Sequence, residues 1–242
     1  MTANIMTPNS AGICKQPAGT PRSLIEWHPY TMRKLSILTL AALLAILTAC
    51  SDTPPEPAAK KEPEKVEPVT GQSALFRMYQ MARSWGGLET QVLKMQSTRI
   101  PEVKDGPPGT AAAWQATLVS SAKGQSRDYT FSIVESEGNL HKGAFAGAES
   151  GWTGSRGVNS SFLMAAVKVD TDAAYKTAME TASSKAADYD KKNPGKPITI
   201  LLEKTNKHPD PVWRIIWGES AGTSNFSVLI DASTGAYLET MR

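Results

Sequence analysis

Gly218-Glu219-Ser220-Ala221-Gly222 carries the G-x-S-x-G spacing of a nucleophile elbow, where a serine oxygen attacks a carbonyl carbon. The elbow needs a strand that enters, a helix that leaves and a histidine placed to take the serine proton. A strand pattern does enter, over Val212 to Trp217. What leaves is Thr223-Ser224-Asn225 and a second strand pattern, and no histidine follows Ser220; His208 precedes it by twelve residues. The stretch 218–225 therefore reads as a hairpin loop, and a serine hydrolase using Ser220 is the remotest alternative. His141 on an expected strand and His208 in a Lys-His-Pro-Asp-Pro loop beside Asp210 lack the short-range companions that a four-ligand zinc site requires. Glu135 and Glu137 share a strand face and Glu180 lies on a helix, with nothing local to bury one carboxyl and split the pKa values of an acid–base pair. Gly143, Gly147, Gly151, Gly154 and Gly157 lack both the spacing of a phosphate loop and a helix after them. No catalytic residue, metal ligand or cofactor is expected.

The remaining reactive group is the Cys50 thiol. It follows Leu47-Thr48-Ala49 and closes an apolar run from Leu35 that begins after Met32-Arg33-Lys34. A basic start, a short apolar core and small residues before the end describe a secretory signal. Fifteen residues, including two threonines and a serine, are short against the ~20 needed to span a bilayer. The pattern resembles the lipobox of bacterial lipoproteins. That resemblance implies acylation of Cys50, cleavage just before it, and anchorage by two or three acyl chains, enough for stable attachment. Residues 32–49 are then the signal. Residues 1–31, including Cys14, are expected to be an upstream extension ahead of the true initiator, Met32. Ser51 is not the aspartate that retains many such lipoproteins at the inner membrane, so the expected address is the periplasmic face of the outer membrane.

Processing also changes the charge. The chain has 26 Lys+Arg and 23 Asp+Glu, for +3. Removing residues 1–49 takes four basic residues and one acidic one, leaving 22 of each. The basic excess belongs to the leader and does not point to nucleic acid. With Cys50 acylated no disulfide remains possible, so the fold rests on apolar burial.

Residues 50–72 form the expected tether. Pro54, Pro55, Pro57, Pro63 and Pro68 alternate with lysines and glutamates, and Val66 and Val69 are the only large apolar residues. Such a segment cannot offset its ordering entropy by burial. At ~3.1 Å per residue, the twenty residues 51–70 reach up to about 60 Å from the membrane.

The rest has α+β character, in two halves that repeat one order, 73–160 and 161–242. In the first, Leu75, Met78, Ala82, Trp85, Leu88, Val92 and Met95 keep a helical spacing interrupted at Gly86-Gly87. Pro101 to Gly109 is a loop. Strands follow around Trp114–Leu118 and Tyr129–Ile133, with a third expected over Leu140–Ala146. In the second, Met164–Val169 reads as a strand, Asp170 as an N-cap, and Tyr175 to Tyr189 as a helix. Strands are expected at Ile198–Glu203, Val212–Trp217, Phe226–Asp231 and Ala236–Met241. Each unit is thus a helix packed on an antiparallel meander, leaving one sheet face free.

Trp213-Arg214-Ile215-Ile216-Trp217 and Phe226-Ser227-Val228-Leu229-Ile230-Asp231-Ala232-Ser233-Thr234-Gly235 resemble the end of a PepSY-type module. Val167 to Tyr175 is similar to the strand-to-helix entry of such modules. Tandem modules of this kind resemble the fold of secreted β-lactamase inhibitor proteins. Asp231 and Gly235 also have a local reading, as an aspartate-capped tight turn.

Between the halves, Phe145, Trp152 and Arg156 stand among small residues, a composition enriched in contact surfaces. Packing of Trp152 across the seam between modules is the plainer expectation. The resulting expectation is a non-enzymatic, membrane-anchored envelope lipoprotein that binds a protein or peptide partner, as inhibitor or regulator. A small-ligand carrier with a pocket between modules is the alternative.

Overall fold

The computed structural model describes residues 67–155 and 160–242. The extension, the signal, Cys50, most of the tether and Arg156 lie outside the described residues. Among the described residues no helix is long and apolar enough to cross a membrane.

The chain enters through β1 (Val69–Thr70), which pairs with β3 (Thr110–Ala111). Helix α1 (Gly71–Gly86) follows, then β2 (Thr90–Thr98), β4 (Ala113–Ser120), β5 (Gln125–Ser132) and β6 (Gly143–Gly151). The second half supplies α2 (Thr171–Glu180), α3 (Ala186–Lys192), β7 (Ile198–Glu203), β8 (Val212–Trp217), β9 (Ser227–Asp231) and β10 (Tyr237–Met241). Eight strands form one antiparallel sheet in the order β10-β9-β8-β7-β2-β4-β5-β6. The two meanders thus join edge to edge through their first strands, β2 and β7.

Four local expectations are corrected. The apolar stripe does not stay helical as far as Met95. Gly87 adopts φ 77°, α1 ends at Gly86, and Val92 and Met95 are buried on β2. Glycines there remove helix propensity and permit the left-handed turn into the strand. Met164–Ala166 is a single 3-10 turn, not a strand; only the Lys168 and Val169 amides reach the sheet margin, both on the Ala232 carbonyl. The second helix breaks at Thr181–Lys185, where the Ser184 hydroxyl takes the Ala178 and Thr181 carbonyls and Lys185 adopts φ 60°. The third strand starts at Gly143, after a turn with Gly138 and Asn139 at positive φ.

Both helical layers cover the same sheet face. Met95, Trp114, Leu118, Tyr129 and Phe131 are buried in one core with Leu75, Met78 and Ala82 of α1. Leu202, Trp213, Ile215, Trp217, Val228 and Ile230 continue that face into the second half, with Ala174 and Ala178 of α2. Truncating one of these fully buried tryptophans would cost about 3–5 kcal/mol.

The helix starts meet at the seam. Asp170 Oδ1 accepts from the Thr171 amide of α2 (2.7 Å) and from the Gln72 amide of α1 (2.9 Å). The Gly71 amide donates to the Thr171 hydroxyl (2.8 Å), which donates to the Gly109 carbonyl (2.5 Å). Gly71 is required by space: a Cβ there would lie 2.6 Å from Thr171 Cγ2, 3.0 Å from the Trp213 ring and 3.1 Å from the Trp114 ring.

Candidate functional site

Strand alternation places a second set of side chains on the face away from the helices. In the first half, Phe145, Thr130, Gln115 and Gln96 form a row across β6, β5, β4 and β2. Asp128, Thr117 and Lys94 form the next row. Together with the 138–141 turn they line a concavity of 590 Å³. Both rows cross the seam in register, Gln96 against Leu201 and Lys94 against Glu203.

Phe145 is 46% exposed there, and its ring lies 4.5 Å from that of His141. His141 Nδ1 is 3.1 Å from Glu135 Oε2, and the Lys142 amide donates to Glu135 Oε1. That amide, with help from His141, holds the Glu135 carboxyl below its ordinary pKa. The Thr117 hydroxyl donates to Asp128 (2.6 Å). Thr130 Oγ1, between Phe145 and Gln115, is buried without a hydrogen-bond partner among the described residues. On the second half of this face, burial raises the Glu203 carboxyl pKa, with Arg214 acting against it.

The structure separates the residues proposed from sequence. Phe145 sits in the concavity. Trp152 follows the far end of β6, seven residues on, and its amide donates to the Gly124 carbonyl in the β4–β5 hairpin (2.8 Å). That position is half-buried and on the outer side of the sheet from β2–β7, so it does not bridge the seam. Sequence pattern alone does not mark His141 and Thr130 as neighbours of Phe145. The alternation of Thr130 with Tyr129 and Phe131 was the available signal.

The other candidate chemistry resolves into local structure. Ser220 lies in the loop joining antiparallel β8 and β9, its hydroxyl 2.8 Å from Thr223 Oγ1 and accepting from the Thr223 amide. His208 Nε2 is 3.1 Å from Glu239 Oε1, and Lys207 pairs with the other oxygen. Asp231 Oδ1 accepts from the Ser233 and Thr234 amides, and Gly235 takes φ 77°, closing the β9–β10 turn. Among the described residues no three His, Cys, Asp or Glu side chains are grouped to hold a metal ion.

A second cavity, of 270 Å³, opens at the seam between the 97–112 segment and residues 195–200. No protein-family profile, curated protein or solved structure matches the chain.

Proposed function

We propose that the chain is a lipid-anchored protein of the bacterial envelope whose folded part docks a protein or peptide partner, without turnover, on the helix-free concave face around Phe145. The observation that carries this is the half-exposed Phe145 ring on edge strand β6, at one end of a polar concavity spanning four strands, with both helical layers on the opposite face. An exposed aromatic flanked by polar groups is the kind of side chain that anchors an interface. Acylation of Cys50 would hold this face within tether reach of a membrane, at the periplasmic side of the outer membrane.

Two PepSY-like modules are part of the same reading. Internal equivalence supports a duplication. Trp114 Nε1 donates to the Val69 carbonyl, and Trp213 Nε1 donates to the Val169 carbonyl (3.1 and 2.8 Å). Each tryptophan lies on the second long strand of its meander, and each acceptor lies two residues before its helix. The seam cavity favours the second reading, a small-ligand carrier.

A photoreactive amino acid replacing Phe145, with the same label at Glu180 on the helical side as control, tests the docking face in living cells. A discrete adduct from position 145 alone supports it. Equal labelling from both positions, or none from 145, overturns it.

A further inference from the structure

The β2–β7 ladder holds three pairs and then fails. Lys94, Met95 and Gln96 face Glu203, Leu202 and Leu201. At the next position the Ile200 amide donates to the Ser97 hydroxyl (2.9 Å) in place of a strand carbonyl. Continued register would set Arg99 against Ile198. But β2 has ended at Thr98, and the chain turns away into the 99–109 loop.

Ile198 is therefore left on an open edge. It faces Trp217 in β8, and the Gly218 amide donates to the Pro197 carbonyl (2.8 Å). That bond makes 198–217 a non-hydrogen-bonded pair, so the N–H and C=O of Ile198 point away from β8. They point toward the seam cavity, and neither has a partner among the described residues. A free N–H and C=O on one strand residue, beside a cavity, is the geometry of strand addition. Buried Ile100 and Ile200 supply an apolar floor. Arg99 pairs with Asp105 (3.0 Å), which leaves Lys104 and Lys196, the latter also bonded to the Tyr189 hydroxyl (2.8 Å), as the excess charge around the cavity and favours an acidic occupant.

We infer that this seam cleft binds an extended acidic peptide segment, which pairs with Ile198 and takes the place β2 vacates. The site is separate from the Phe145 concavity and does not depend on it.

The test is a magnetic resonance titration of the full chain in detergent with acetyl-Glu-Val-Thr-Val-Glu-amide. The Ile198 amide exchanges rapidly with solvent in the free protein. Saturating peptide slows it roughly tenfold or more, and added salt weakens the effect. The same peptide with its central amides N-methylated leaves Ile198 unchanged. Ile198→Pro removes the inferred donor without breaking a β8 ladder bond, so it abolishes binding while the sheet persists. Should that variant fail to fold, the N-methylated peptide decides alone. The inference is overturned if the Ile198 amide is already protected in the free protein, if the N-methylated peptide binds equally well, or if the acidic peptide leaves Ile198 unperturbed at millimolar concentration.

Discussion

Replacing Asp170 should damage two helices at once. One carboxylate oxygen accepts the first-turn amides of both α1 and α2, at 2.9 and 2.7 Å. Losing a cap costs about 1 kcal/mol per helix, and losing the charge beside a helix N-terminus a further ~0.3–1 kcal/mol each. Asp170→Ala therefore loses about 2.5–4 kcal/mol. Asp170→Asn keeps the acceptor oxygen and loses only the charge, about 0.5–2 kcal/mol. A domain of this size shifts by roughly 2–4 °C per kcal/mol, so the alanine variant should melt some 5–15 °C lower. Urea unfolding gives the direct reading: the midpoint falls with the slope unchanged. A loss below about 1 kcal/mol in Asp170→Ala, the value for capping a single helix, would refute the shared cap. So would an asparagine variant as weak as the alanine one.

Gly71→Ala should cost about 1–3 kcal/mol by overpacking, because the new methyl meets Thr171 Cγ2 at 2.6 Å; thermal melting reads it. Lys207, and then His208, hold the Glu239 carboxyl below its ordinary value of 4.5. A carboxyl depressed in the folded state stabilises above its unfolded pKa and loses that contribution as pH falls through the folded one. The melting gap between the native chain and Glu239→Gln should thus be present at neutral pH and close as the pH falls below the ordinary carboxylate range. Ser220→Ala should leave any ester turnover by the preparation unchanged, since the Ser220 hydroxyl is engaged by Thr223 and its loop joins antiparallel strands.

Much of the scaffold was legible because its signals are local. Alternation over Ile198–Glu203 and Val212–Trp217 gives β7 and β8 at their observed bounds. Asp170 followed by an apolar-periodic run gives the start of α2. The stripe from Leu75 to Met95 misleads because helical spacing continues by coincidence past Gly86-Gly87; Leu88, within it, is 75% exposed. The Met164–Val169 run has the composition of a strand but forms a 3-10 turn, and only its last two amides reach the sheet margin, both on the Ala232 carbonyl. What local pattern cannot carry is the seam. Three β2–β7 pairs, a serine hydroxyl replacing a ladder carbonyl, and one aspartate serving two helices all join residues about a hundred positions apart. Phe145 stood out by composition, as an aromatic among glycine and alanine. Its ring contact with His141 depends on where β6 begins, which the turn at Gly138-Asn139 decides.

Envelope anchorage underlies the proposed role, and intact-mass spectrometry of protein purified from its native host tests it most directly. The expected species begins at Cys50 and carries the added mass of two or three acyl chains. A free thiol at Cys50 on a chain that still retains residues 32–49 would contradict it.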